Sequence, residues 1–330
     1  MSAHPSTRPH LGLRTERLGG GEADIDRAAA LLSAGKLVAF PTETVYGLGA
    51  DAADAGAVAA LYAAKGRPRF NPLIAHAPDL AAAAREGVLD AAAGRLARAF
   101  WPGPLTLVVP LAAEATTCDL ARAGLGTIAL RVPSHPIARA LLARVGRPVV
   151  APSANRSGHV SPTAAAHVAA DLDGAIDAIL DGGLAPLGLE STIVACLRDG
   201  VRMLRPGSTT RRAIEQTLGS GLADGADAGR PVAPGALASH YAPRARLRLD
   251  AADLRPGEVA LLFGPAPAGG TGPRLNLSPS GDLAEAAANL FGHLRRLDDR
   301  GAATIAVSPV PETGLGEAIN DRLRRAAADR

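Results

Sequence analysis

The sequence predicts an α/β protein of two domains, and three observations carry that reading. The chain has 330 residues, more than one ordinary hydrophobic core accommodates. Short apolar runs alternate with segments of helical periodicity from Ile25 onward. Over residues 219–243 the composition turns to Gly, Ala, Asp and Pro without usable periodicity, and a second alternating pattern follows. The chain therefore divides into a loose tail (1–17), a large domain (18–218), a linker (219–243) and a small α/β domain (244–330).

The elements follow in order. Apolar spacing at Ile25, Ala28, Leu31 and Leu32 predicts a helix, and 36–40 a short buried strand. A helix is expected over 56–64, then strands over 73–76, 105–111 and 127–132. A helix at 136–145, a strand at 148–151 and a helix at 164–172 come next, then strands at 178–180, 191–197 and 201–204. Beyond the linker, 258–263 and 303–307 read as strands and 282–297 as a helix with Ser280 or Asp282 as N-cap. Residues 315–328 read as a last helix. Strand order is not legible.

Composition narrows the function classes. Apolar residues make up 47% but aromatics only 3%, so the interior is built mostly of Ala, Leu and Val. Mean hydropathy of +0.11 argues against extensive disorder. No uninterrupted apolar stretch approaches the roughly 18 residues of a membrane span, and no apolar run opens the chain as a secretory signal would. Two cysteines, Cys118 and Cys196, make neither a disulfide framework nor a zinc-type pair, so a reducing, cytoplasmic setting is expected. A net charge of +3 fits an anionic ligand but is too mild to establish nucleic-acid binding. Lys36 and Lys65 are the two lysines among 35 basic residues, either by chance or because a compact ammonium is needed there.

Common signatures are absent: no P-loop, no H-E-x-x-H, no G-x-S-x-G elbow and no metal-type Cys/His spacing. Five other segments carry chemistry. Pro41-Thr-Glu-Thr-Val-Tyr-Gly-Leu-Gly-Ala50 follows a strand and is dense in hydroxyls and glycines, as a ligand loop or an ordinary strand-to-helix turn would be. Lys65-Gly-Arg-Pro-Arg-Phe-Asn-Pro72 puts three cations at a helix end, with Asn71 and His76 beyond. A helix dipole accounts for one or two of these cations; phosphate binding accounts for all.

Arg131 interrupts an apolar strand and needs an anionic partner, either a structural carboxylate or a ligand carboxylate. Ala151-Pro-Ser-Ala-Asn-Arg-Ser-Gly158 and the following His159–Thr163 crowd small polar groups into a loop. These suit phosphate or ribose contacts, an N-capped helix start at Ser161 or Thr163, or both. Gly188-Leu-Glu-Ser-Thr-Ile193 offers Glu190 as a partner for one of these cations, and Arg205 closes a strand. The linker ends in Ser239-His240-Tyr241-Ala242-Pro243, an unusual concentration of rings for a passive tether.

In this order the motifs resemble the YrdC family of threonylcarbamoyl-AMP synthases, and the linker ending and residues 316–326 resemble its long, two-domain members. The resemblance covers residues 18–328. It implies a YrdC-like twisted open mixed sheet with helices, plus a smaller C-terminal Rossmann-like domain. It implies synthesis of L-threonylcarbamoyladenylate from L-threonine, bicarbonate or CO₂, and ATP, for tRNA threonylcarbamoyladenosine modification. Mg²⁺ is expected on the ATP, with no metal held by the protein itself.

By the same resemblance, Lys65, Arg67, Ser153 and Asn155 carry the catalysis. ATP falls to Lys65, Arg67, Asn71, Thr127, Ser153, Ser161, Arg205 and Tyr241. Threonine falls to Thr44, His76, Arg131, Ala151 through its backbone, and Ser191. Tyr241, with His240, is expected to bring the linker over the nucleotide as a lid. Proteins that pass the threonylcarbamoyl group to tRNA are the expected partners, with weak RNA binding through a basic cavity and no membrane contact. The small domain has no G-x-G-x-x-G and is given no nucleotide of its own. Two rivals stand beside this reading. One is a double-stranded RNA- or tRNA-binding module without turnover, which the scarcity of aromatics disfavours. The other is a carbamoyl-adenylating module of the hydrogenase-maturation type, whose zinc fingers two lone cysteines cannot build.

Overall fold

The structure is a computed structural model that describes residues 14–225, 240–265 and 272–328. The large region begins with β1 (Glu16–Leu18), α1 (Glu22–Ser33), β2 (Val38–Phe40), β3 (Gly47–Asp51), α2 (Ala55–Lys65), β4 (Ile74–His76), α3 (Leu80–Glu86), α4 (Ala91–Phe100) and β5 (Leu105–Pro110). It continues with β6 (Thr127–Arg131), α5 (Pro136–Val145), β7 (Val149–Val150), α6 (Ala165–Leu172), β8 (Ala178–Leu180), β9 (Thr192–Leu197), β10 (Gly200–Arg205), α7 (Arg211–Leu218) and β11 (Ala223–Asp224). The smaller region holds β12 (Arg246–Arg248), β13 (Val259–Leu262), β14 (Arg274–Asn276), α8 (Leu283–Asp298), β15 (Thr304–Val307) and α9 (Leu315–Ala327).

The first eleven strands form one mixed sheet, ordered β1-β8-β2-β3-β7-β4-β6-β5-β9-β10-β11. The last four form a parallel sheet, ordered β12-β15-β13-β14. Helix starts are fixed by short acceptors: the side chains of Asp54, Asp79, Asp90, Thr210 and Asp282 cap α2, α3, α4, α7 and α8. Of the two N-caps expected for α8, Asp282 does the capping. Neither Ser161 nor Thr163 caps α6. Ala164 occupies that position without a side-chain bond, and the Thr163 N–H donates instead to His167 Nδ1 at 3.2 Å.

Two boundaries differ from the sequence expectation. Glu16–Leu18 is not tail but strand β1, pairing in parallel with β8 at the sheet edge. Three residues, two of them charged, give no periodicity to read, yet Leu18 is buried. Residues 1–13 of the expected tail lie outside the described residues. At the linker, Ala223–Asp224 pairs with β10 as β11, and His240, Tyr241 and Ala242 are buried. The rest of that segment, 226–239 with Ser239, lies outside the described residues.

Sheet pleat sorts the core by face. Ala75, Leu107, Leu130, Val150 and Val194 point to the side covered by α2, α4 and α6. On the other side, α1 and α5 pack over Val38, Phe40, Val149 and Ala178. That second face continues across β4, β6, β5 and β9 as Ile74, Ala129, Val108, Ile193 and Ala195, a cluster built from strand residues without a helix. His76, Thr127 and Arg131, three of the residues singled out from the sequence, lie on this helix-free stretch.

The small region docks through α8 and α9. Val45, Val160 and Leu189 of the large region belong to the same apolar cluster as Phe291, Ile319 and Leu323. Gly188 adopts φ +66°, and a Cβ there would lie 2.5 Å from the Ala287 carbonyl oxygen. Only glycine lets this backbone approach α8 so closely. Among the described residues three ion pairs tie the regions further: Arg295 to Asp171 and Arg211 to Glu317, both at 2.7 Å, and Arg322 to Glu190 at 2.8 Å.

Candidate active site

The segment after β2 is not a plain turn into a helix. Residues 41–46 form a buried loop, and β3 follows antiparallel to β2. Thr42 organises the loop. Its hydroxyl accepts from the Thr44 and Val45 N–H groups and lies 2.8 Å from the Thr44 hydroxyl. Between the two threonines, the buried Glu43 carboxylate accepts from Arg131 Nη2 at 2.7 Å and from the Ser134 N–H at 3.1 Å. Of the two partners expected for Arg131, the structure shows the structural carboxylate. The Arg131 Nε is buried with no partner among the described residues.

His76 pairs in register with Arg131 across the parallel β4–β6 ladder, so the two side chains stand side by side on the helix-free face. Burial, then the Arg131 charge, lowers the His76 pKa to about 3, so the ring is neutral near pH 7. The Ala151 N–H is used by the Ile74 carbonyl at 3.0 Å, so what Ala151 can offer a ligand is its own carbonyl oxygen. The Ser191 hydroxyl lies 2.7 Å from that of Thr106.

The cationic segment is aimed by the end of α2. Gly66 takes the left-handed conformation (φ +61°) that closes the helix, and the Arg67 N–H bonds back to the Tyr62 carbonyl at 2.9 Å. Lys65 and Arg67 turn inward and are buried, whereas Arg69 stays exposed. Lys65 Nζ donates to the carbonyls of Ser153 at 2.6 Å and Asn155 at 2.5 Å. An ammonium has three N–H groups, so one is left for a ligand. Arg67 Nη2 donates to the Pro72 carbonyl at 3.1 Å, while Arg67 Nε and both polar atoms of the Asn71 amide are buried without partners among the described residues.

The Asn155 amide donates within its own loop. Its Nδ2 donates to the carbonyls of Arg156 (2.7 Å) and His159 (2.9 Å), leaving the acceptor Oδ1, which an anion repels. Its backbone carbonyl links it to Lys65. Thr127 and Arg131 share a face of β6 but sit at opposite ends, about 13 Å apart at a strand rise of about 3.3 Å per residue. Thr127 therefore lies at the end of β6 that neighbours the residues leading into β4, where Asn71 sits.

Glu190 does not pair with the cations singled out from the sequence. It pairs with Arg322 of α9, whose Nε donates to it at 2.8 Å, and it accepts from the Ser161 hydroxyl at 2.5 Å. Burial would raise the Glu190 pKa, but the Arg322 and Arg205 charges and the Ser161 bond outweigh it and hold it low. Arg205 donates to the Ser191 carbonyl (2.9 Å) and hydroxyl (3.2 Å), which joins an expected ATP residue to an expected threonine residue.

Tyr241 is buried at φ +64°, stacked on Phe291 with centroids 5.6 Å apart, with the Arg322 guanidinium 5.4 Å from its ring. The Ala242 N–H bonds to the Gly158 carbonyl at 2.8 Å, which fastens the linker end onto the small-polar loop. The electrostatics converge. Burial, followed by Arg67, Lys65, Arg205 and Arg322 in turn, pushes His240 well below its usual range. Burial and the Arg67 charge depress Lys65, and burial lowers Arg67 to about 10. Four cations are thus crowded into one buried region, an arrangement that an anion stabilises. Most buried side-chain atoms without a partner among the described residues belong to this region: Arg67, Asn71, Arg131, Asn155, His240, Tyr241 and Arg322.

Sequence reasoning missed Glu43 and Arg322 as site residues. Glu43 was visible as the one carboxylate in an otherwise uncharged ten-residue motif. Arg322 had no such signal, because the run Asp321-Arg322-Leu323-Arg324-Arg325 reads as a solvated helix face.

The chain is similar to known proteins along nearly its whole length. Residues 30–207 match the Sua5/YciO/YrdC family model, described as telomere recombination. Residues 209–328 match a model described as threonylcarbamoyl-AMP synthase, C-terminal domain. The chain is similar to the threonylcarbamoyl-AMP synthase of Bacillus subtilis, with 40% identity covering 96% of each chain. It superposes on the crystal structure of Pyrococcus abyssi Sua5 complexed with L-threonine at TM-score 0.86 and 37% identity, covering 95% of this chain and 97% of that one. The crystal structure of Escherichia coli YciO matches at TM-score 0.51 and 23% identity, over 59% of this chain and 96% of its own, a likeness of fold alone.

Proposed function

We propose, from the premise that the chain belongs to the Sua5/YciO/YrdC family, that its cationic region holds ATP beside a threonine site centred on Arg131. The chain catalyses threonylcarbamoyl-AMP synthesis, condensing L-threonine, bicarbonate or CO₂, and ATP with release of pyrophosphate, for tRNA modification. The observation that carries the site assignment is the concentration of unpaired buried donors on Arg67, Asn71, Arg131 and Arg322. Inward-facing donors of this kind suit two anionic groups, a triphosphate and a carboxylate. The RNA-binding and carbamoyl-adenylating alternatives give way, because relatives matched along nearly the whole chain carry the synthase name.

The reaction is a nucleotidyl transfer. The free amine of threonine adds to CO₂, forming an N–C bond and losing a proton to water. A carbamate oxygen then attacks the α-phosphorus, and the bond to the bridging oxygen breaks with its electron pair leaving on pyrophosphate. Such a step needs charge neutralisation and alignment rather than a covalent nucleophile. In this reading Arg131 binds the threonine carboxylate through its free Nε. Thr44, Ser191, the neutral His76 and the Ala151 carbonyl orient its amine and hydroxyl. Lys65, Arg67, Asn71, Ser153, Ser161 and Arg205 surround the phosphates, with Asn155 holding Lys65 and Thr127 completing the nucleotide site. Tyr241 and His240 close over it and keep water from the mixed anhydride.

Mg²⁺ enters with ATP, held by phosphate oxygens and water. The donor set fits that, since Glu43 and Glu190 are both already paired with arginines. Among the described residues no helix is long and apolar enough to cross a membrane. A cytoplasmic enzyme handing its product to tRNA-modifying transfer proteins is the setting this reading implies.

The test is incubation with ATP, Mg²⁺, L-threonine and bicarbonate without tRNA, followed by mass detection of threonylcarbamoyl-AMP. Product from the wild type that disappears in Lys65→Ala and Arg131→Ala supports both activity and site. Folded, ATP-binding protein that yields none overturns the reading.

A further inference from the structure

We propose that Arg322, supplied by the C-terminal domain, is a positioning residue for the nucleotide site. The proposal rests on the reading of Ser161, Arg205 and Tyr241 as nucleotide residues. Arg322 is fully buried, and its side chain touches three flanks of that site. Its Nε holds Glu190 Oε2 at 2.8 Å, while Ser161 donates to Oε1 of the same carboxylate. Its Nη1 donates to the Pro206 carbonyl at 2.7 Å, on the residue directly after Arg205. Its guanidinium lies 5.4 Å from the Tyr241 ring centroid, within cation–π range.

A guanidinium that served only to brace a domain contact would have its donors used up by that contact. Here Nη2 is buried with no partner among the described residues, as is Arg67 Nε, and both guanidinium charges act on His240. Arg322 also adds its charge to the field felt by Arg205 and His240. An anion in this region relieves both the unpaired donor and the crowding of positive charge. On the threonine side the partners are different. Arg131 is held by Glu43, and Thr44 by Thr42. Among the described residues Ser191, which follows Glu190 and accepts from Arg205, links this network to the threonine side, so docking of α9 couples more strongly to nucleotide affinity than to threonine affinity.

The experiment is steady-state kinetics of full-length Arg322→Met, Arg322→Lys and the double variant Glu190→Gln/Arg322→Met, with threonine binding measured by calorimetry to show each protein folded. The wild type must first form threonylcarbamoyl-AMP; if it does not, the functional reading itself fails and the failure is recognised at that step. With an active wild type, Arg322→Met is expected to raise the KM for ATP about tenfold or more, the scale of a lost charge-assisted hydrogen bond. The KM for threonine stays within about twofold. Arg322→Lys recovers part of the loss, because the charge returns without the planar fork. The double variant loses less than the sum of its single changes, since Glu190 is no longer a stranded charge and Asp321, which also accepts from Arg322 Nη1, keeps Arg325. Equal changes in both KM values, or a lower melting temperature with the KM for ATP unmoved, overturns the proposal. Should Arg322→Met fail to fold, Arg322→Lys and the double variant read the same KM split.

Discussion

Arg131 Nη2 lies 2.7 Å from Glu43 Oε1, and both side chains are buried at the end of β6. The guanidinium is pre-oriented by one carboxylate while its Nε has no partner among the described residues. In the proposed reading the substrate carboxylate takes that position. In Glu43→Gln the Arg131 charge loses its counter-ion, an effect of about 3 kcal/mol for a buried pair. Threonine then supplies the missing anion. Saturating threonine should raise the melting temperature of Glu43→Gln by more than it raises that of the wild type. Equal increments in thermal-shift measurements would show that Arg131 does not meet the substrate carboxylate.

Lys65 offers a proton-linked signature. Burial and the neighbouring Arg67 hold its pKa well below the usual lysine range. A triphosphate restores the charged form, so ATP binding draws in a proton wherever the free protein holds Lys65 neutral. Calorimetric titration of ATP in buffers of different ionisation enthalpy is expected to show proton uptake, reduced in Lys65→Met. The KM for ATP should also rise as pH increases. A proton balance identical in the wild type and Lys65→Met would exclude this role.

Buried histidines set the acid side of stability. His76 is lowered to about 3 and His167 to about 4, each mainly by burial. Unfolded histidine titrates near pH 6.5, so between about pH 6.5 and 3 the unfolded chain binds more protons than the folded one. Stability therefore rises with pH through this window and is lost on acidification. Urea unfolding from pH 7 to pH 4 should show this slope, and His76→Gln should flatten it. An unchanged slope in that variant would mean His76 is protonated in the folded protein.

Much of this was legible in the sequence because its signal is local. Strands such as β5 and β9 are continuous apolar runs, and Asp282 announces α8. Helices α3, α4 and α7 carry local caps at Asp79, Asp90 and Thr210 and were still not among the elements expected, whereas several unread strands draw their stability from elsewhere. β1, β12 and β14 are three-residue strands carrying charged or polar side chains, fixed by pairing to a neighbour. β3 was hidden in a glycine-rich motif that reads as a loop. In the site, Lys65, Arg67 and Arg131 stood out because a cation at a helix end or inside an apolar strand is locally anomalous. Arg322 is anomalous only through a contact with Glu190, 132 residues away. No local pattern encodes that.

The stack of Tyr241 on Phe291 is where the linker end meets the small domain, and it separates two explanations of the lid. Phe291 is fully buried in the cluster shared by both regions, and it also sets the plane against which Tyr241 rests. Phe291→Leu keeps an apolar side chain but removes the flat face, so a loss of about 1–3 kcal/mol in stability is expected from packing alone. If Tyr241 closes over the nucleotide, the same change must also loosen the lid, because Tyr241 Oη has no partner among the described residues to hold the ring in its place. The expected result is a raised KM for ATP together with faster loss of threonylcarbamoyl-AMP to water, measured at a temperature where the variant is fully folded. The KM for threonine should change less, since Arg131 and His76 lie on the helix-free face, and Thr44 meets the α8 cluster only through its neighbour Val45. A variant with lowered stability but wild-type ATP kinetics and product lifetime would reduce the Tyr241–Phe291 stack to a domain contact and remove the lid from the mechanism.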